Sequence, residues 1–308
     1  MANITHATLE TDLRLAAMLE REINLLLTDT ANLRNSGAIV FHGDVAGIGS
    51  DTLRVRLAGL DGYDSMSATA AEDTDVADTT PTDASADIAV VRAALRYDIG
   101  DLAALTGFPG SDLDPVRLAQ SMTGAFEQYF NGLVGGALSS LTGSVGSTTV
   151  NLTVANFFEA MAVLEVASVP GPYTMVLYPQ QLADFQSALR SETGVIEHLA
   201  GGDLVGIKGP GFSGSYLGVD IWVSSDIPTA NAGADSNGAM WGLGALGYAI
   251  GTPRPLMGAG GEVRPAGTPV VVEFQRDASS ALTEIVGHAY CGLSVIEATR
   301  GCQIVTDR

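Results

Sequence analysis

The sequence predicts an α+β fold built from two unequal modules, and two observations carry that expectation. Helical and period-two segments alternate irregularly instead of in a steady βαβ rhythm, and the strand segments gather into groups, the last of which should return to the first module. No internal repeat is visible.

Taken in order, residues 8–34 place Leu9, Leu13, Ala16, Leu19, Ile23, Leu26 and Leu27 at three- and four-residue steps with acids between them, which predicts an amphipathic helix. Acids in its first turn and Arg34 before Gly37 suit the helix dipole and a glycine stop. A terminal helix has little to fold upon, so this stripe should lie against the rest of the chain or against another subunit; Leu9, Leu13 and Ile23 are candidate contacts. In residues 52–57, Leu53, Val55 and Leu57 alternate with Arg54 and Arg56. In residues 91–99, Val91, Ala93, Leu95, Tyr97 and Ile99 alternate with Arg92, Arg96 and Asp98. Both are strands with one apolar and one polar face. Residues 59–86 between them carry many acids and no base, so the three segments read as a long two-stranded arm with an acidic tip. Free hairpins are marginal in water, and this one should rest on a neighbouring surface.

Asp114 and Pro115 then fit the N-cap and first position of a helix that runs to Gly143, about 40 Å at ~1.5 Å per residue. Gly132, Gly135 and Gly136 lie inside it, each costing about 1 kcal/mol of propensity, which suggests close packing or a bend. A second helix starts near Thr153 or Asn156 and ends at Ser168; a short strand at 173–178 and a helix opened by Pro179 follow. Short strands are expected at 218–224 and 239–250, and strands again at 270–276, 282–298 and 302–306.

Composition removes several classes of function. The 308 residues carry 35 acids and 15 bases, a net charge of −20, with Lys208 the single lysine. Binding that grips phosphates needs many lysines and arginines, so a bulk-charge nucleic-acid binder is excluded. At 46% apolar residues the chain has enough to bury a sizeable core. Cys291 and Cys302 do not make a disulfide framework and read as small buried hydrophobes. No window approaches a membrane span and the N-terminus lacks a signal-peptide pattern, so a soluble protein from a reducing compartment is expected.

The chemical motifs are weak. Gly242, Gly244 and Gly247 match a dinucleotide fingerprint with Glu262 about twenty residues on, but Pro253 and Pro255 would stop the helix that motif requires. His288 lies three residues before Cys291 with no further ligands nearby, which favours a structural role over a metal site. Glu72, Asp73, Asp75 and Asp78 resemble a calcium loop only in their acids; a solvated acidic tip is the better account, with weak divalent-cation binding as the alternative. The residues name no catalytic, cofactor or metal site, and nothing in them argues for an enzyme.

Three stretches nevertheless resemble a known family. Val154-Ala-Asn-Phe-Phe-Glu-Ala-Met-Ala-Val-Leu164, followed by the segment from Pro172 to Asp184, is similar to that family's helix, strand ending in proline, and helix. Tyr216-Leu-Gly-Val-Asp-Ile-Trp-Val-Ser-Ser-Asp-Ile-Pro228 is similar to its strand followed by small polar residues and proline, and the segments from His288 to Gly292 and from Arg300 to Asp307 resemble its closing strands. The family is the major capsid proteins of tailed bacteriophages, whose fold is shared by encapsulins and the herpesvirus capsid floor.

The resemblance implies an N-terminal arm over residues 1–45, an E-loop hairpin over 46–101, a P-domain with the spine and second helices over 102–172, an A-domain over 173–268, and C-terminal strands over 269–308 returning to the P-domain. It implies a non-enzymatic virion protein, made in the host cytoplasm, that assembles with itself into pentamers and hexamers around double-stranded DNA. A portal at one vertex is implied, and separate scaffold and cement or decoration proteins are possible partners; no membrane and no cofactor is involved. An encapsulin-like compartment is the alternative, and a soluble nucleotide-dependent enzyme a more distant one. Some members weld subunits through an E-loop lysine, but residues 46–101 contain none, so a shell without covalent cross-links is expected. Some carry a cleaved scaffolding segment of about a hundred residues; here the arm starts near Met1, which points to a separate scaffold or none. A net-negative wall would enclose DNA without gripping it, since like charges repel within the ~8 Å Debye length. Arg54, Arg56, Arg92 and Arg96 are expected to pair with acids of neighbouring subunits.

Overall fold

A computed structural model of the chain describes residues 23, 33, 38–58, 83–101, 115–191, 212–252 and 270–307. In chain order these form β1 (Ile39–Asp44), β2 (Thr52–Ala58), β3 (Asp83–Ala89), β4 (Val91–Gly100), α1 (Pro115–Leu138), β5 (Gly143–Ser147), α2 (Val154–Val166), β6 (Tyr173–Leu177) and α3 (Pro179–Ser191). They continue with β7 (Phe212–Tyr216), β8 (Val219–Val223), β9 (Thr229–Ala230), β10 (Asp235–Gly242), β11 (Leu246–Ile250), β12 (Val270–Asp277), β13 (Leu282–Val295) and β14 (Gly301–Asp307).

The larger sheet has the order β5-β14-β10-β6-β8-β7, with β9 added to β10. Its central strands are apolar on both faces because both are covered. Val176, Trp222, Ala239 and Trp241 face the C-terminal half of α1, where Phe130, Val134 and Leu138 are buried. Met175, Leu177, Ile221, Met240 and Ile304 face the opposite layer, in which Phe157 and Leu164 of α2 meet Phe185 and Leu189 of α3. This helix–sheet–helix sandwich buries apolar area at roughly 25 cal/mol per Å², the main favourable term in its folding. Thr153 caps α2 through a reciprocal pair with Asn156. Gln181 of α3 is fully buried and ties that helix to the sheet: its Nε2 donates to the Ser236 carbonyl at 3.0 Å and to Thr306 Oγ1 at 2.9 Å, and its Oε1 accepts from the Tyr178 amide at 3.1 Å.

The smaller sheet has the order β1-β11-β13-β12, with β4 on the free side of β13. The N-terminal half of α1 lies on it, Leu118, Ala119, Met122 and Phe126 packing against Val270, Val272, Ile285 and Ala289. Thus α1 spans both sheets and joins their cores. Its helical glycines differ: a Cβ on Gly135 would fall 2.2 Å from Pro228 Cδ, so close packing requires that glycine, whereas Gly132 and Gly136 face open space.

Several elements differ from the sequence expectation. The partner of β2 is β3, not residues 91–99: Arg54 stands opposite Asp87 and Leu53 opposite Ile88. Residues 83–86, expected in the acidic tip, belong to that strand. Residues 91–99 are a strand as expected, but β4 pairs with β13 from Gly100 opposite Leu282 to Val91 opposite Cys291. The helix expected to reach Gly143 stops at Leu138, because the Ser140 and Leu141 amides turn to carbonyls three residues back and the Thr142 amide is taken by the Ala298 carbonyl at 3.0 Å. That last bond starts β5, a strand of glycine, serine and one buried valine that the apolar pattern does not announce. Residues 239–250 are two strands in different sheets, the chain crossing between them at Gly244, whose φ is +90°.

Candidate functional site

Among the described residues, two features stand apart from the core, an arm and an uncovered helix face. The arm is the β2–β3 ribbon. One of its faces carries Leu53, Val55, Ala86 and Ile88, and at the root Ile88 is fully buried against Ala249 and Ile296. The other carries Arg54, which holds Asp87 in a two-pronged pair, Nε to Oδ1 at 2.9 Å and Nη2 to Oδ2 at 3.1 Å. That pair raises the guanidinium's pKa and lowers the Asp87 carboxyl, the hydrogen bond being the main cause of each shift. Both groups are solvent-exposed, so the pair contributes little to folding.

The arm's root is set by close approach. The Val90 amide donates to the Asp51 carbonyl at 2.8 Å, and the break at Val90 lets the chain pass from the ribbon into the smaller sheet. There Gly292 of β13 lies under the turn; a Cβ at that position would sit 2.0 Å from the Ala89 carbonyl oxygen. Beside the root, Ile48 and Val91 are each more than half exposed.

The six other residues expected at subunit contacts divide into four groups. Arg96 is engaged within its own chain, its Nε at 2.6 Å from Asp98 Oδ1 and its Nη2 at 2.8 Å from Glu284 Oε1, and it lowers the Asp98 carboxyl. Arg54 and Arg96 therefore have acids of their own chain as partners, which the sequence reading assigned to a neighbour. Arg56 and Arg92 are exposed and make no ion pair with any described residue. Ile23 is helical and wholly buried among Leu118, Met122 and Phe126 of its own chain, so it has no surface left for another subunit. Leu9, Leu13 and the acids of residues 59–82 lie outside the described residues.

The fingerprint-like glycines have structural explanations. A Cβ on Gly242 would sit 2.4 Å from Val169 Cγ1 and one on Gly247 would sit 2.5 Å from His42 Cδ2, while Gly244 takes the left-handed turn; the strand β11, in place of the motif's helix, runs on directly to Ile250. His288 and Cys291 stand three apart on one strand, so their side chains point to opposite faces. Burial pushes the Cys302 thiol up to about 11, which makes it unreactive. Among the described residues no cluster of three metal-ligating side chains occurs, and no helix is long and apolar enough to cross a membrane.

The sequence reading passed over the outer face of α2. Ala155, Phe158, Ala162 and Val166 are exposed along it, Phe158 at 43% and Val166 at 86%, with the exposed Glu159 and Glu165 beside them. The three- and four-residue spacing was present in the sequence, but it runs beside the buried Phe157, Ala160 and Leu164, and periodicity alone does not say which stripe of an apolar helix is covered.

No family model and no curated protein matches this sequence. Solved structures do match it along most of its length. The capsid of Ralstonia phage GP4 superposes with a TM-score of 0.61 at 11% identity, covering 89% of this chain and 88% of that one. An encapsulin from Synechococcus elongatus gives 0.59 at 16% identity, covering 87% and 84%. A virus-like particle from Pyrococcus furiosus gives 0.54 at 12% identity, covering 97% and 100%. At these identities the likeness is one of fold, and the fold is the α+β architecture shared by tailed-phage major capsid proteins and encapsulin shells.

Proposed function

We propose that this chain is a shell-forming subunit, the major capsid protein of a tailed phage, assembling with itself around double-stranded DNA through non-covalent contacts. The observation that carries the reading is the arm: a ribbon in which Ile88, at the root, is the one fully buried side chain among the described residues, on a fold whose solved examples include a phage capsid and an encapsulin. The division into N-arm, E-loop, P-domain, A-domain and closing strands belongs to this reading, as do a virion location, a portal and separate scaffold or cement proteins. The absence of lysine from residues 46–101 supports a shell without isopeptide links. An encapsulin-like compartment is the second reading, favoured by a likeness to the Synechococcus shell, TM-score 0.59, close to the 0.61 of the phage capsid.

Purified protein examined by negative-stain electron microscopy and light scattering should form closed particles that run as a single monomer band on a denaturing gel. A protein that stays monomeric under all assembly conditions would overturn the shell reading. High-mass ladders would overturn the non-covalent one. Particles isolated from the native source with a co-purifying protein and no DNA would decide for the compartment.

A further inference from the structure

Strand β4 leaves one edge of the smaller sheet open. Its ladder to β13 runs unbroken from Gly100 opposite Leu282 to Val91 opposite Cys291, and no other described strand pairs with it. Cys291 also pairs with Ile250 of β11, so β11 lies on the side of β13 away from β4, and there the Gly251 amide takes the Tyr290 carbonyl. Backbone groups of successive strand residues point to opposite sides, so Cys291, Ala289, Gly287 and Ile285 are the β13 residues bonded to β4. Their partners Val91, Ala93, Leu95 and Tyr97 point inward, and Arg92, Ala94, Arg96 and Asp98 turn their N–H and C=O groups away from the sheet. At ten residues β4 is longer than β1, β5, β7 and β12, the strands that end the two sheets, and it carries no proline, lysine or bulge to blunt its edge.

The two faces of β4 differ. Arg92, Ala94, Arg96 and Asp98 project from one face and are exposed. Ala93, Leu95, Tyr97 and Ile99 project from the other, toward α1, together with Val91, which is 55% exposed. A second copy of β4 laid antiparallel along the edge bonds only where outward residues meet outward residues, and the charges choose among those registers. Centring on Ala94 sets Arg92 against Arg96, and centring on Arg96 sets that arginine against itself; like charges directly opposite destabilise a sheet. Centring on Tyr97 sets Arg96 against an Asp98 that an arginine already holds, and it shortens the overlap so that Val91 and Arg92 are left out. Centring on Leu95 sets Arg92 opposite Asp98 on both sides of the axis. On the other face the same register brings Val91 opposite Ile99, Ala93 opposite Tyr97 and Leu95 opposite Leu95, so the exposed valine gains an apolar partner.

We infer that β4 is a dimerisation edge: two copies of the chain pair antiparallel through it about a twofold axis at Leu95, Arg92 of each copy bonding Asp98 of the other, and their smaller sheets join into one. Asp98 keeps Arg96 of its own chain, and its two oxygens have lone pairs enough for both arginines. Arg56 also lacks an ion pair with any described residue, but it stands on the β2–β3 ribbon, which takes no part in this contact. The pairing is isologous and closes after two copies. It rests on the shell reading only for its use there, as a twofold link between subunits.

The test follows the full-length protein by sedimentation velocity before assembly and by light scattering as particles form. In the wild type, hydrogen exchange should slow on association at the outward amides of Arg92, Ala94, Arg96 and Asp98, while the amides of Ala93, Leu95 and Tyr97, already bonded to β13, should change little. Ala94→Pro removes an N–H that points away from β13 and should weaken association by about tenfold or more. Arg92→Asp and Asp98→Arg should each do the same by setting like charges opposite one another, and the two together should restore association toward the wild-type value. Thermal melting of the unassembled protein checks that each variant is folded. Leu95→Cys falls at a pair whose Cα atoms stand about 4.5 Å apart, and oxidation with copper-phenanthroline in air should link it into a dimer on a non-reducing denaturing gel. Ala94→Cys, whose copies lie roughly 8 Å apart in this register, and the wild type should give no such band. A dimer linked through Ala94→Cys instead, or particles whose outward amides exchange at the unassembled rate, would overturn the pairing while leaving the shell reading intact. So would particle formation indifferent to Ala94→Pro and to both charge reversals. Wild-type protein that dimerises with these signs but never forms particles would uphold the edge and overturn the shell reading, and protein that stays monomeric throughout would overturn both.

Discussion

The helix–sheet–helix sandwich and the β2–β3 arm differ in what they ask of their surroundings. In the sandwich, both faces of the sheet are covered by the chain's own helices, and a buried glutamine binds one of those helices to two strands. In the arm, Ile88 at the root is the only fully buried side chain among the described residues, and the outward face carries a solvent-exposed ion pair. The first region is covered by its own chain; the second keeps Leu53, Val55 and Ala86 only partly covered. Damage to the sandwich should therefore appear as lost stability, and damage to the arm as lost assembly with the fold retained.

The largest effect is expected from Trp241→Ala. Trp241 is fully buried between α1 and the sheet, and its Nε1 donates to the Ala38 carbonyl at 3.3 Å. Removing it should cost about 3–5 kcal/mol of stability in denaturant unfolding. A loss below about 1 kcal/mol, with assembly impaired instead, would reverse the distinction between the two regions.

Gly292→Ala should act at the boundary. Its added Cβ would lie 2.0 Å from the Ala89 carbonyl, and backbone cannot swing away as a flexible side chain would. Overpacking of this kind costs about 1–3 kcal/mol. Because the collision is with the arm's root, the expected result is faster amide exchange across β2 and β3 with the sandwich amides unchanged. Uniformly faster exchange would show that the arm and the sheets unfold as one unit.

The same contrast explains what the sequence disclosed. Long, strongly periodic segments were legible: α1, α2, α3 and the strands of residues 91–99 and 270–276 follow from apolar spacing that burial then enforces. The partner of β2 was not. In β3, Ala84, Ala86 and Ile88 do alternate with Asp83, Ser85 and Asp87, but small and acidic residues carry so little hydrophobic contrast that the segment reads as loop. Gly143–Ser147 is a strand because two neighbours force it, Thr142 being held by Ala298 and β14 running alongside, and no local property of the residues records that. The run from 239 to 250 hides a change of sheet because its glycines are apolar by composition yet serve as a crossover. For the arginines, sequence located Arg54 and Arg96 on exposed faces but could not see that strand register supplies each with an acid of its own chain, while Arg56 and Arg92 are left without one.

The smallest effect concerns the Arg54–Asp87 pair, and it tests whether the arm's charges behave as free surface groups. Arg54 holds the Asp87 carboxyl below the ordinary carboxylate value, so whatever order the pair imposes is fully present above that value and is lost as pH falls through the depressed one. Both groups are exposed, so global stability should not register the change, and added salt should weaken it. Carboxyl carbon NMR of unassembled protein should find Asp87 titrating low, and Arg54→Ala should return it to the ordinary range with the melting temperature unchanged. In assembled particles the answer separates two arrangements. If a neighbour covers this face, the Asp87 titration should shift further and lose its sensitivity to salt, because the pair is then shielded from solvent. If the arm is contacted only at its root and along Leu53 and Val55, Asp87 should titrate as it does in the monomer, leaving the arginine face of the ribbon exposed in the shell.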